Sequence, residues 1–147
     1  SESEISEILL VHEKSRNKDG RMAYQNVSEA VTSLMRSFRD LDMHVLFLCK
    51  EGKDNNDGVF LFGPKMASKP LGEAITYFFD EVLALRVYDD VDEKGDAVTK
   101  RALQTRIQGG YTAKDRSGKL EPFEEPNLTA LIKKLGFSNK IENKESA

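Results

Sequence analysis

Met43-His44-Val45-Leu46-Phe47-Leu48-Cys49 is the stretch on which the fold class turns. From Val45 on it is continuously apolar, which suits a strand buried on both faces, as in a parallel sheet. Just before it, Val27, Ala30, Val31, Leu34, Met35, Phe38 and Leu41 recur at i, i+3, i+4, i+7, while Glu29, Arg36, Arg39 and Asp40 fill polar positions. That spacing predicts an amphipathic helix of about five turns. Asn26 and Glu29 have the form of a capping box, and a start nearer Met22 also fits. Helix, Asp40-Leu41-Asp42 turn and buried strand together make an α/β layer.

On the N-terminal side, Ile5, Ile8, Leu9 and His12 sit at helical spacing, with Ser3 available as N-cap, so Glu4 to Lys14 reads as a helix before a polar loop to Gly20. On the C-terminal side, Lys50 to Gly58 is a polar loop leading into Val59-Phe60-Leu61-Phe62 and Gly63-Pro64-Lys65, with at most a short strand or hairpin in it. A short helix is expected over Leu71 to Phe79 and a second mostly apolar strand over Glu81 to Tyr88. After the acidic turn Asp89 to Asp96, Ala97 to Gln108 alternates as an antiparallel partner strand, and Gly109-Gly110 marks a break. Pro126 near the first helical position and Gly136 past the end frame a last short helix, and Lys140 to Ala147 reads as a frayed tail. One domain over 1–137 with a tail over 138–147 is therefore expected.

The chain of 147 residues is 39% hydrophobic and 32% charged, the balance of a globular domain. A domain of this size buries roughly 68–70% of its unfolded surface, so it needs no disulfide, and Cys49 is the single cysteine. No apolar run approaches the ~20 residues of a membrane helix. No membrane partner is expected, and a cytoplasmic location is the default. A net charge of -3 provides no global footprint for nucleic acid, so any polyanion contact must be a local patch. The chain opens Ser1-Glu2-Ser3-Glu4 without an initiator methionine, which leaves open a processed product or a piece of a longer polypeptide.

No Gly-x-x-x-x-Gly-Lys-Ser/Thr phosphate loop, no Gly-x-Gly-x-x-Gly and no paired Cys or His spacing for zinc occurs, so no metal ligand is assigned. His12, His44 and Cys49 read as structural. Leu48-Cys49-Lys50-Glu51, leaving a strand end, is a candidate ligand edge or simply the start of a solvated loop. Lys114-Asp115-Arg116-Ser117-Gly118-Lys119 is either a solvated hairpin or, on an extended segment, two cations projecting on one side toward an anion such as a phosphate.

Several pieces in order carry a resemblance: Phe38-Arg39-Asp40-Leu41, His44-Val45-Leu46-Phe47, Gly63-Pro64, Tyr77-Phe78-Phe79-Asp80-Glu81-Val82, Leu103-Gln104-Thr105, Ala113-Lys114-Asp115-Arg116-Ser117-Gly118-Lys119-Leu120 and Glu124-Glu125-Pro126-Asn127-Leu128. Over residues 1 to about 135 the chain resembles the C-terminal part of phage-encoded RecA-like ATPases of recombination and single-strand-annealing clusters. That resemblance implies an α/β, three-layer RecA-like P-loop sandwich lacking its P-loop half. Ser1-Glu2-Ser3-Glu4-Ile5 is similar to the segment after the family's magnesium-binding aspartate, which would place that aspartate and the phosphate loop upstream. ATP and Mg2+ would then belong to the complete protein, with neither held tightly by this chain alone.

The resemblance implies residue roles as well. Lys50 takes the sensor position near the γ-phosphate, where the family more often has glutamine. Lys114 and Arg116 resemble the Lys-x-Arg-x-Gly element whose cations act in trans on a neighbouring subunit's nucleotide, and Gly118 completes it beside the cofactor. Lys53, Lys65 and Lys69 fall in the DNA-facing segment, interleaved with Asp54 and Asp57. The implied partners are further copies in a ring or filament, or the missing N-terminal half, and single-stranded DNA, in the host-cell cytoplasm. A second reading is a non-catalytic interaction or DNA-binding module on the same scaffold.

Overall fold

The computed structural model describes residues 1–17 and 19–137, so the tail over 138–147 lies outside the described residues. The fold is mixed α/β, and the chain clusters into two compact units. Unit 1 takes residues 1–80 and 108–112, and unit 2 takes 81–107 and the chain from 113 onward. Every strand ladder among the described residues is antiparallel.

In unit 1, α1 (Glu2–Arg16) and α2 (Gly20–Arg39) form a helical pair. α2 starts at Gly20, close to the alternative start near Met22 rather than at Asn26, because the Asp19 side chain caps it by accepting from the Arg21 N–H. Asn26 is therefore no cap, and instead its amide donates at 2.8 Å to Glu13 of α1, tying the two helices. The apolar face of α2 behaves as its spacing demands: Val27, Val31 and Met35 are buried against Met66, Leu71 and Ile75. Phe47 joins that core through edge contacts with Phe38 and Phe79, with ring centres 5.3 and 5.2 Å apart.

α1 departs from expectation. Leu9 and Leu10 are half-buried against the core, but its fully buried residues are polar, Glu2, Ser3 and Ser6, while Ile5, Ile8 and Val11 are exposed, and Ser1 rather than Ser3 occupies the cap. The segment 43–49 also departs. It forms neither helix nor strand, with Val45, Phe47 and Cys49 half-buried, and Leu46 and Leu48 are 60% and 67% exposed. The apolar run is a one-sided layer here, not a strand buried on both faces.

The polar loop after Lys50 is a full hairpin. β1 (Glu51–Asn56) and β2 (Val59–Pro64) pair in six-residue register around Asp57-Gly58, whose φ values of 49° and 86° make the two-residue turn that Asp-Gly favours. α3 (Lys69–Ile75) follows, capped by Ser68, and ends in a short 3-10 turn over Thr76–Phe78. The 108–112 segment lies along β2: the Phe62 N–H donates to Gly110 O and the Thr112 N–H to Phe62 O, both at 2.8 Å, with Tyr111 stacked on Phe62.

In unit 2, the expected strand over Glu81 to Tyr88 divides at Leu83 into β3 (Glu81–Val82) and β4 (Ala84–Val91). β4 pairs with β5 (Ala97–Gln104) as the alternation predicts, and β6 (Lys114–Asp115) pairs with β3. β7 (Phe123–Glu124) adds to β5. Gln104 and Thr105 are fully buried polar residues and are satisfied: Gln104 accepts from Arg86 and donates to Arg106 O, both at 2.7 Å, and the Thr105 hydroxyl donates to Glu121 O at 2.6 Å. α4 (Leu128–Leu135) is capped by Asn127, so Pro126 precedes the cap rather than opening the helix, and Gly136 closes it with φ of 85°.

Candidate functional site

The sequence candidates divide between the units, with Lys50, Lys53, Lys65 and Lys69 in unit 1 and Lys114, Arg116 and Gly118 in unit 2. In unit 1, α1 meets the end of the 43–49 segment through backbone and hydroxyl bonds. The Glu2 N–H donates to Leu48 O at 2.9 Å, and the Ser3 hydroxyl accepts from the Lys50 N–H at 3.0 Å while donating to Lys65 O. The Lys65 N–H donates to Lys50 O at 2.8 Å, and the Ser6 hydroxyl accepts from the Ala67 N–H at 3.1 Å. These bonds explain the buried serines: two hydroxyls satisfy backbone groups that a sheet ladder would otherwise pair.

Around this junction lie charges. The Lys50 ammonium is 3.7 Å from Glu4 and 3.5 Å from Glu7, and Lys65 is 3.9 Å from the same Glu7. Lys50 and Lys65 are thus brought together on a shared carboxylate, whereas Lys69 pairs with Asp54 at 3.5 Å and Lys53 lies 3.9 Å above the Phe60 ring. Beneath the junction Glu2 is buried, with Oε1 lacking a hydrogen-bond partner, and burial raises its carboxyl. Burial, with the nearby Glu2 charge, pushes the Cys49 thiol up to about 11, which lowers its thiolate fraction near neutrality.

In unit 2, Lys114, Arg116 and Gly118 share one loop, but only Lys114 and Asp115 are extended. From Arg116 the chain bends, and Gly118 has φ of 68°, so the expected alternation that would project both cations from one side does not apply. Arg116 is exposed and Lys114 half-buried. The turn is built around Asp115, whose Oδ1 accepts from the Ser117 hydroxyl at 2.6 Å and from the Gly118 N–H at 3.0 Å. Its Oδ2 accepts from the Leu120 N–H at 2.9 Å. Lys119 donates to Leu135 O at the C-terminus of α4, where a cation complements the helix dipole. Glu81, opposite Asp115 in the ladder, is a residue that reading the sequence missed, since nothing local announces a partner so far along the chain.

The AAA domain family model matches residues 5–117, well over half of the chain. The chain belongs to the AAA domain family. No curated protein and no solved structure matches it. Membership of the AAA domain family brings a nucleotide-binding, ATPase-type function, with ATP and Mg2+ used by the complete protein. The described residues show no grouping that fits that group by itself. Among the described residues no three His, Cys, Asp or Glu side chains gather to hold a metal ion. The 147 residues contain no glycine-rich phosphate loop, and a depression lined by Gln25, Ser28, Glu29, Thr32, Ser33 and Arg36 lies on α2 alone, with one cation and no backbone cradle. No helix among the described residues is long and apolar enough to cross a membrane.

Proposed function

We propose that this AAA domain chain is the C-terminal portion of a RecA-like ATPase of phage type, acting in DNA recombination or single-strand annealing, whose three-layer sandwich is completed by a half carrying the phosphate loop. The observation that carries this reading is the open 43–49 segment: its inner face packs on the helices while Leu46 and Leu48 stay exposed. Val45, Leu46 and Phe47 make no backbone bond among the described residues. A central strand of a parallel sheet has that character when its neighbours lie elsewhere. Ile5, Ile8 and Val11 on α1 present a second uncovered apolar surface, as a missing layer would leave.

On this reading Lys114 and Arg116 act in trans, offsetting the charge that grows on the γ-phosphoryl oxygens of a neighbour's ATP, with Gly118 letting the loop turn beside the nucleotide. Lys50 holds the sensor position. Lys53, Lys65 and Lys69 line the face for single-stranded DNA, where phosphates must displace Glu7 and Asp54 as partners. The assembly is a ring or filament in the cytoplasm.

The test is ATP turnover by the complete gene product with and without single-stranded DNA. Arg116→Ala should lower turnover by about 10³-fold or more while ATP binding is unchanged. Unchanged turnover in Arg116→Ala overturns the assignment. The second reading, a non-catalytic interaction or DNA-binding module, fits the same uncovered Ile5, Ile8 and Val11 surface of α1, and predicts that no product containing this chain hydrolyses ATP.

A further inference from the structure

β3 and β6 form a ladder of only two residue pairs, and one of these sets Glu81 against Asp115. Like charges directly opposite on a sheet repel, so two ionised carboxylates are a poor way to close so short a ladder. The surrounding donors divide unevenly. Asp115 receives the Ser117 hydroxyl and the Gly118 and Leu120 N–H groups, on both of its oxygens. Glu81 accepts from the backbone N–H groups of Arg116 and Ser117, yet its Oε2 is buried with no hydrogen-bond partner. The two acid groups are within hydrogen-bonding reach of each other, but both only accept when ionised. Contact becomes a bond only when one carries a proton.

Asp115, with its donors in place, keeps its charge, and the proton falls to Glu81. Burial, then the Asp115 contact, pushes the Glu81 carboxyl up to about 7. Asp115 lies below its ordinary value, since burial opposes its charge but the hydrogen bonds from Ser117, Leu120, Glu81 and Gly118 outweigh it. Among the described residues the facing groups include Asp115 of β6, the backbone of Arg116 and Ser117 beyond it, and Glu124 of β7, which acts on Asp115 and is itself paired to Lys134 of α4. Lys114 and Arg116 flank Asp115 in the chain.

We propose that Glu81 is a positioning residue for the Lys114–Gly118 loop: its carboxylic acid O–H donates to Asp115 and latches the loop across β3, and transfer of that proton to water opens the latch. The bond made is one O–H···O between the two side chains, and the proton is the only species exchanged. Release would leave the loop attached at Val82–Lys114 while the mutual repulsion of two carboxylates loosens the turn that carries Arg116. The functional meaning rests on the trans-acting reading of Lys114 and Arg116, whereas the latch is a property of this chain alone. The native state binds this proton more tightly than the unfolded chain. The latch's stability is therefore fully present below the ordinary glutamate value and is lost as pH rises through about 7.

The experiment is a pH titration of the full chain from about pH 5 to about pH 9, followed by 15N NMR of the loop amides and by the Glu81 side-chain carboxyl 13C shift. Ser117, Gly118 and Leu120 amides should share one transition near pH 7 with the Glu81 carboxyl, and their hydrogen exchange, corrected for intrinsic rate, should quicken above it. Glu81→Gln, which keeps a donor toward Asp115, should abolish the transition and hold the loop closed across the range. A wild-type Glu81 carboxyl titrating at the ordinary glutamate value overturns the proposal without need of any variant, as does a loop transition that survives Glu81→Gln. The outcome separates from that of the ATPase reading: a latch that titrates together with an Arg116→Ala enzyme of undiminished turnover sinks the catalytic role and leaves the latch standing.

Discussion

Gly110→Ala tests whether the 108–112 segment is built into unit 1 as described. Gly110 has φ of 79°, a left-handed conformation that costs an L-residue about 1–2 kcal/mol. Its added Cβ would also lie 2.2 Å from the Phe60 carbonyl oxygen, where contacts under 3.0 Å are essentially never seen, so β2 and the segment must part by nearly an ångström. That movement strains the Phe62 N–H to Gly110 O and Thr112 N–H to Phe62 O bonds, each worth about 1 kcal/mol. The expected loss is about 3–4 kcal/mol. Gly109→Ala is the internal control, because Gly109 also has positive φ, 59°, but nothing lies within 4 Å of its added Cβ, so only the conformational cost of about 1–2 kcal/mol applies. Urea unfolding followed by far-UV circular dichroism suits a chain without tryptophan, and a difference of about 2 kcal/mol between the variants is expected. Equal losses in the two variants would refute the close approach of Gly110 to β2.

Met35→Ala removes one of the largest fully buried side chains of the α2 core and should cost about 2–5 kcal/mol in the same urea experiment, and a loss under about 1 kcal/mol would mean that this face is not packed as described. Cys49, with its thiol pushed up to about 11 by burial and by the Glu2 charge, should hold about a hundredfold less thiolate near neutral pH than an ordinary cysteine, and alkylation by iodoacetamide should be correspondingly slow. Labelling as fast as that of a free thiol would contradict the placement of Cys49 against the core.

α2 was legible because its periodicity reports burial directly: Val27, Val31 and Met35 face the core. Its start was legible only as the alternative near Met22, close to the Gly20 observed, since the Asn26 and Glu29 pattern imitates a cap while Asn26 serves as a bond between helices. The β4–β5 hairpin was legible from alternation, but β1 was hidden because Glu51 to Asn56 is polar throughout and becomes a strand only through pairing with β2 across Asp57-Gly58. The 43–49 run read as doubly buried, and hydrophobicity cannot say which faces this chain itself covers. Of the candidate site, the grouping of Lys114, Arg116 and Gly118 follows from adjacency alone. Glu81, Ser3 and Ser6 escaped notice because their partners are distant in sequence, and ordinary acids and serines advertise no such pairing.

The Lys50 junction bears on the proposed sensor role in a way that its ion pairs obscure. The pairs to Glu4 and Glu7 are between side chains that are each about half exposed, and such pairs are weak and salt-screened, so they do not commit the ammonium. The Lys50 backbone, by contrast, is fixed on both sides: its N–H by the Ser3 hydroxyl and its C=O by the Lys65 N–H. A group that must answer to a phosphate needs this division, an anchored origin and an exchangeable tip, because anchoring lowers the entropy lost on binding while weak partners yield to a stronger anion. A lysine brings to that position a point charge rather than glutamine's paired donor and acceptor, so it would respond to the charge of the phosphate more than to the geometry of an attacking water. On the proposed reading, the chain therefore senses whether a nucleotide anion is present at Lys50, and the trans cations of the Asp115 loop act on the neighbour's phosphoryl group.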